Sequence, residues 1–238
     1  MIINNKFFED THVFFKYISI KYILPNIGNL NTNEVSDKPD FSKVTKYDLL
    51  VENELIYFFN KKGFKNIISE ENSSNLINVD CYLTIDPIDG TRNFINGVNK
   101  VVIMVSYIEN ETSIFSIIYD PVEDLFYHTN NNVIYKNFIA IKNSKYDKHI
   151  GYLGDHAKIY FKDYVSDTIE KKRSRSIGYD VLEVVEGKRS FMTIYGSKIW
   201  DLFPAMSFLK ILHFKSNLPN MNFDYSKLDE KIIFYAEI

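Results

Sequence analysis

The segment Asp86-Pro87-Ile88-Asp89-Gly90-Thr91 ends an apolar β-type run on two aspartates set three positions apart around a proline. Two carboxylates this close repel one another, and keeping both ionised in a partly buried site is costly. A bound divalent cation removes that cost. Hard oxygen ligands on a stiff turn suit Mg2+, which takes a few carboxylates and keeps room for waters and a substrate phosphate. Pro87 narrows the backbone freedom between the two and removes an N–H donor, so the Ile88 carbonyl is a further candidate ligand. Gly90 lets the backbone approach a ligand closely, and Gly90-Thr91 can present N–H groups at a helix start. Metal carboxylates beside an anion cradle are what hydrolysis of a phosphate ester requires.

Read alone, the same residues also fit a plain turn, since Asp-Pro and Asp-Gly are common turn dipeptides. Two other metal readings fail on spacing. An EF-hand loop places ligands at alternate positions with glycine sixth, and here Gly90 comes fifth with Asp86 counted first. The DxDGT pattern of haloacid-dehalogenase-type phosphatases sets its aspartates two apart, not three. Further acidic residues tilt the balance towards chemistry. Glu70 and Glu71 follow the short strand-like Ile67-Ile68, and Asp201 follows Trp200 at the start of the apolar helix LFPAMSFLKIL, where an N-cap is the ordinary role. Lys38, Thr45 and Asp48 lie in KPDFSKVTKYD ahead of another helical stretch.

The elements that must position these residues alternate along the chain. Residues 6–24 repeat apolar positions at helical spacing up to Pro25, 26–40 is polar and read as a loop, and Leu49–Lys62 is again helical until Gly63. Tyr82–Ile85 is a strand leading into the aspartate turn. Val101–Glu109, Ser113–Tyr119 and Leu125–His128 form an antiparallel meander. After residue 145 or so the texture becomes alternating strand and helix, through IGYLGD, the helix-like 158–172, RSRSIG, DVLEVVEG, FMTIYG and a closing strand KIIFYAEI. One unit over 1–238, with lobes at 1–145 and 146–238, is the expected organisation.

Together the motifs resemble those of the inositol monophosphatase superfamily, the Mg2+-dependent, lithium-sensitive phosphomonoesterases. DPIDGTRNF is similar to that family's DP-[IL]-D-G-T-x-x-F signature and WDLFPA to its WD-x-x-A. ISEEN stands where the family has an acidic Glu-Glu segment, and VTKYD matches its VT-x-x-D, all in family order. The resemblance implies a mixed α/β fold, a layered αβαβα sandwich. Glu70, Asp86, the Ile88 carbonyl, Asp89 and Asp201 would bind two or three Mg2+ ions. Thr91, hydrogen-bonded to Asp48, would position the attacking water, the Gly90 and Thr91 amides would hold the phosphate, and Lys38 would contribute electrostatically from a mobile loop. Asp89 and Asp201 would also face the substrate. The expected reaction is hydrolysis of a small phosphorylated metabolite by metal-activated water, without a phospho-enzyme, in a homodimer.

Departures from the family bear on the substrate. Ile194 stands where inositol phosphatases carry a glutamate that grips a ring hydroxyl, and Tyr179-Asp180 replace the usual small residues after RSIG. KPDFS and SEE resemble the branch acting on 3′-phosphoadenosine 5′-phosphate, whereas DGTRNF, with Asn93, is more similar to the inositol branch, so a 3′(2′),5′-bisphosphate nucleotidase is the first alternative. The region after WDLFPA lacks the glycine-rich turn and strands usual there, which reads as a trimmed member and leaves a regulatory or binding protein with vestigial catalysis as a second alternative. Lys171-Lys172-Arg173 with Arg175 could meet a second phosphate, although such runs are more often solvated helix ends.

Composition bounds the rest. The 238 residues are 45% apolar and 25% charged with a net charge of −3, which gives no general attraction for nucleic acid. The longest apolar run, Val101–Ile108, is too short to span a bilayer. The start MIINNKFFED lacks the pattern of a secretion signal, and the single Cys81 excludes an internal disulfide, so a reducing cytoplasm is expected.

Overall fold

The structure is a computed structural model and describes residues 3–72, 79–141, 150–152, 169–170, 173–195, 198–216 and 232–236. The first helix, α1 (Asn5–Ile18), starts where the Asn4 side chain accepts the Phe7 amide at 3.0 Å. It buries Phe7, Phe8, Phe15 and Ile18, then widens into a π turn at Ser19–Ile23 and a 3-10 turn at Leu24–Asn26 around Pro25. The stretch expected as loop carries structure. Val35–Asp37 (β1) and Lys43–Thr45 (β2) pair antiparallel, so Lys38 sits in a hairpin. α2 (Lys46–Lys61) follows directly, capped by Thr45.

A seven-stranded sheet carries most of the architecture. Its strands are β3 (Ile67–Ser69), β4 (Cys81–Asp89), β5 (Val102–Glu109), β6 (Thr112–Asp120), β7 (Leu125–Asn130), β8 (Val133–Lys136) and β9 (Ile139–Ala140), ordered as in the chain. β3 runs parallel to β4 and every later neighbour is antiparallel. The β5–β6 hairpin turns through Asn110 and Glu111, both with positive φ (47° and 60°), as the twist of a two-residue hairpin demands. After β4, Thr91–Ile95 forms a short helix, α3.

The second sheet contains β10 (Ile150–Gly151), β11 (Ile169–Glu170), β12 (Phe191–Tyr195), β13 (Lys215–Ser216) and β14 (Ile232–Ala236) in the order β11-β10-β12-β14-β13. β14 is the expected closing strand, and β13 adds a further short strand after Asp201, where the sequence reading expects family strands to be missing. The intervening 217–231, where a glycine-rich turn is expected to be lacking, lies outside the described residues, as do 158–168, 171–172 and the lobe boundary near 145, while Ile169–Glu170, expected as part of a helix, form the strand β11 paired with β10.

Two helices stand between the sheets, α4 (Ile177–Val185) and α5 (Ile199–Ile211). One core joins Val102, Met104 and Ile118 of the first sheet to Val181 and Val184 of α4, Phe208 and Leu209 of α5, and Met192 and Ile194 of β12. A second core packs Phe8, Phe15, Val51, Leu55 and Phe59 of α1 and α2 on the opposite face, against Ile85, Ile103, Val105 and Ile117. The described layers are therefore helix, sheet, helix, sheet, the order of the expected mixed α/β sandwich. Asp180–Val185 and the preceding Ile-Gly-Tyr form α4, which ends at the C-cap Glu186 and whose N-cap Ser176 accepts the Tyr179 amide at 3.1 Å. Arg189, 1% exposed, ties α4 to the chain before β12, with Nη2 2.9 Å from Asp180 and Nε donating to Glu183. No helix among the described residues is long and apolar enough to cross a membrane.

Candidate active site

The aspartate segment is a bulged strand rather than the turn its dipeptides suggest. Asp86 stands opposite Met104 and Asp89 opposite Val102, so three steps along β4 match two along β5. Residues three apart on a regular strand point to opposite faces, and the one extra residue cancels that alternation. Both carboxylates therefore share the face of Met104 and Val102, towards α4 and α5, while Ile85 and Ile88 enter the other core. Pro87 fits at the bulge, where a ladder donor is dispensable. The Ile88 amide donates to Asp86 Oδ1 at 3.0 Å, which pins the first carboxylate.

Asp201 arrives from the other side, at the third position of α5. The N-cap is Lys198, whose amide donates to Asp201 Oδ2 at 3.4 Å, so Asp201 closes a capping box instead of capping the helix itself. One carboxylate oxygen each from Asp86, Asp89 and Asp201 lies within 4.8 Å of the others. Burial drives all three protonation equilibria upward. Asp201 is pushed up to about 8 by burial and by the charges of Asp89 and Glu70, and Asp86 well above the usual carboxylate range by burial, Glu70 and Asp89. Asp89 rises to about 6, burial being partly offset by hydrogen bonds from Ser176 and the start of α4. Such a donor set, all hard oxygen and starved of positive charge, fits a divalent cation of the Mg2+ type.

Asp89 also bridges the layers. Its Oδ2 accepts the Ser176 hydroxyl at 2.7 Å and the Gly178 amide at 2.6 Å. Gly178 cannot carry a side chain there, because a Cβ would lie 2.5 Å from Val102 Cγ2 and 3.1 Å from Asp89 Oδ2. Asn93 of α3 donates to the carbonyls of Lys100 (2.7 Å) and Ser174 (2.8 Å), fixing the chain before α4. Gly90, with φ +100°, turns the chain from β4 into α3, and a Cβ there would meet the Lys100 carbonyl at 2.8 Å.

Thr91, the first residue of α3, has its hydroxyl 3.2 Å from Asp48 Oδ1 and 3.2 Å from the Ile88 carbonyl. Asp48 is fully buried on α2, and its other oxygen accepts the Thr45 amide (2.8 Å) and hydroxyl (2.5 Å). Burial raises its pKa to about 6, against the Thr45 hydrogen bonds, which leaves it ionised and accepting at neutral pH. The Thr91–Asp48 contact is the one the family resemblance implies.

Glu70 lies at the end of β3, its amide bonded to the Ile85 carbonyl at 3.1 Å, and its charge helps raise Asp86 and Asp201. Lys38 Nζ is 2.6 Å from Glu70 and 2.7 Å from Glu71, with only 17% of its side chain exposed. Burial works against the lysine's charge, but the two glutamates more than compensate and hold its pKa above the ordinary value. Burial likewise takes Glu71 up to about 7, although Lys38 pulls it down. Ile194, 2% exposed, faces the core of α4 and β12 and offers nothing polar to a ligand. Arg173 and Arg175 are exposed, Arg175 with φ +69°, while Lys171 and Lys172 lie outside the described residues.

The sequence reading missed Ser176, Gly178 and Glu52. Glu52 is a fully buried carboxylate on α2, accepting the amides of Glu71 (2.9 Å) and Asn72 (3.3 Å) and the Asn72 side chain (2.5 Å). It holds the segment on which Glu70 stands. Glu52→Ala is expected to cost about 1–3 kcal/mol by removing the buried acceptor of these three hydrogen bonds. Urea denaturation checks this, and a change below about 0.5 kcal/mol, the scale of an ordinary surface substitution, would contradict it.

A family model described as the inositol monophosphatase family matches residues 16–209. A fructose-1,6-bisphosphatase/inositol-1-monophosphatase of Aquifex aeolicus is 26% identical over 200 residues, 78% of this chain and 75% of that protein. A 3′(2′),5′-bisphosphate nucleotidase CysQ of Buchnera aphidicola is 34% identical over 102 residues, 39% of this chain, and the match spans only 37% of that nucleotidase. Among solved structures, an IMPase/NADP phosphatase complexed with Mg2+ and phosphate superposes with a TM-score of 0.78 at 18% identity, covering 96% of this chain and 90% of that one.

Proposed function

Because the chain belongs to the inositol monophosphatase family of phosphatases, we propose that it hydrolyses a small phosphomonoester with the help of Mg2+. The observation that carries this reading is the meeting of Asp86, Asp89 and Asp201, with one oxygen of each inside 4.8 Å. These three, with Glu70 and the Ile88 carbonyl, would hold the cations. When bound, Mg2+ supplies charge that acidifies water and neutralises the departing oxygen.

The chain's own groups do the rest. Thr91, whose hydroxyl donates to Asp48 Oδ1 at 3.2 Å, would accept a hydrogen bond from the attacking water on Oγ1 and pass its own proton to Asp48 as it takes the water's. The amides of Gly90 and Thr91 would orient the phosphate at the start of α3. Lys38, paired with Glu70 and Glu71, screens the acidic cluster from the hairpin side. Asp89 and Asp201 would also face the leaving group. A homodimer in the cytoplasm belongs to the same proposal, and light scattering on the purified chain tests the dimer.

The test is phosphate release with and without Mg2+ from inositol monophosphates, 3′-phosphoadenosine 5′-phosphate, fructose 1,6-bisphosphate and nucleoside monophosphates. Release from at least one, abolished by EDTA, is expected. No release from any would favour a binding protein with vestigial catalysis. The local 34% identity to a bisphosphate nucleotidase favours 3′-phosphoadenosine 5′-phosphate as the second substrate reading.

The protonation equilibria give a pH prediction with a definite sign. Asp201 and Asp89 have folded pKa values of about 8 and about 6, above the ordinary 3.8. Such groups favour the fold fully below the ordinary value, and that contribution is lost as pH rises through the folded one. The metal-free protein should therefore lose stability between about pH 4 and pH 8. Mg2+ needs the ionised forms and restores it, so the rise in Tm on adding Mg2+ should grow from pH 5.5 to pH 8. A rise in Tm independent of pH would place the cation elsewhere.

A further inference from the structure

Asp89 is held from beyond its own sheet by one side chain whose proton has a single direction open to it. The Ser176 oxygen caps α4 by accepting the Tyr179 amide at 3.1 Å, and the same hydroxyl donates to Asp89 Oδ2 at 2.7 Å. One lone pair serves the helix and the proton serves the carboxylate, so neither bond can shift without weakening the other. The Gly178 amide fills Asp89 Oδ2 further at 2.6 Å.

The segment that presents Ser176 is itself fixed. Ser174 and Ser176 are 6% and 1% exposed, and between them Arg175 takes φ +69°, a conformation that a non-glycine residue adopts at a cost. That conformation is locked from both ends. Ser176 N donates to Ser174 Oγ (3.1 Å), which donates back to the Ser176 carbonyl (2.7 Å). Asn93 grips the Ser174 carbonyl, and the Ser174 amide donates to Asp180 (3.4 Å), which pairs with buried Arg189.

We propose that Ser176 is a positioning residue for Asp89: with the Gly178 amide it occupies Oδ2, leaving Oδ1 alone to face the cluster formed with Asp86 and Asp201. This rests on the reading of Asp89 as a cation ligand. Its consequence is that α4, on the far side of the site from β4, sets the geometry of a ligand it does not carry.

The test is Mg2+ affinity by titration calorimetry on the full chain, alongside kcat and KM for whichever phosphomonoester is hydrolysed. Ser176→Ala should weaken Mg2+ binding about tenfold, the lower end of what loss of a group supporting a metal ligand costs. Ser176→Thr keeps both hydrogen bonds and should return the affinity to within about threefold of the parent. Asn4→Ala, which removes the cap of α1 far from the site, controls for a general loss of stability and should bind Mg2+ as the parent does. Mg2+ binding unchanged in Ser176→Ala, or weakened equally in Asn4→Ala, overturns the inference. Should the parent bind no Mg2+, the phosphatase reading falls with it. A parent that binds Mg2+ and loses the expected affinity in Ser176→Ala, yet hydrolyses nothing, upholds the inference while the proposed reaction fails.

Discussion

Asp89→Asn is expected to abolish measurable turnover while the metal-free protein melts within about 2–4 °C of the parent, or above it, a window set by about 1 kcal/mol in a chain this long. The two effects part because Asp89 has two oxygens with different tasks. Oδ2 accepts from Ser176 and Gly178, and an asparagine can place its carbonyl oxygen there without loss. The amide nitrogen then turns to the cluster, where it donates to Asp86 or Asp201 and relieves the repulsion that helps lift both groups. A cation finds a donor hydrogen instead of a lone pair, and binding collapses. Asp89→Ala is the necessary partner experiment. It leaves the Ser176 hydroxyl and the Gly178 amide without their shared acceptor, at about 1–3 kcal/mol for a buried polar group so stranded. Apo Tm should fall on the order of 4–8 °C in the alanine variant alone. If asparagine destabilised the apo protein as much as alanine does, the negative charge would be serving the fold, and the reading of Asp89 as a cation ligand would be wrong.

What could be read from the chain divides along a physical line. Local periodicity carried α2, the β5–β6–β7 meander and the helix after Trp200, because each buries one face and repeats apolar residues accordingly. The acidic residues were legible because carboxylates crowded at Asp86 and Asp89 are costly unless something uses them. The bulge was not. Asp-Pro and Asp-Gly mark turns in isolation, and only the ladder with Met104 and Val102 shows that the strand runs on to Asp89. The β1–β2 hairpin was missed for a related reason. Three-residue strands have too few positions for alternation to stand out, and the pairing of Val35 with Thr45 supplies what the sequence does not. Ser176 and Glu52 escaped because their role lies in partners distant in sequence. Ser176 did carry a signal, a serine directly before an apolar helical run, which marks an N-cap. Glu52 shares the buried face of α2 with Asp48, Val51 and Leu55, but a charged side chain beside an apolar stripe reads as its solvated edge until Glu71 and Asn72 are seen to donate to it.

The residue whose loss should tell most about the chemical step is Thr91. It carries no charge and is not among the three carboxylates that approach within 4.8 Å, so removing its hydroxyl should leave cation affinity almost unchanged. Its proton has two acceptors at equal distance, Asp48 Oδ1 and the Ile88 carbonyl, both 3.2 Å away. The carboxylate is the stronger acceptor while ionised, and with a pKa of about 6 it is ionised at neutral pH. Thr91→Ala removes the group that would align the attacking water and leaves Asp48 too far back, with Thr45 still holding its second oxygen. kcat should fall on the order of 10²-fold or more, as for other positioned proton-transfer groups, with Mg2+ affinity within about threefold of the parent. Thr91→Ser, which keeps the hydroxyl, should recover most of the rate. Asp48→Asn should resemble Thr91→Ala in kcat, and the double variant should be little worse than either single one, since residues that act as a unit are not additive. Equal losses of rate and of Mg2+ affinity in Thr91→Ala would move Thr91 into the cation shell. Full additivity in the double variant would mean that Asp48 serves the fold through Thr45 alone.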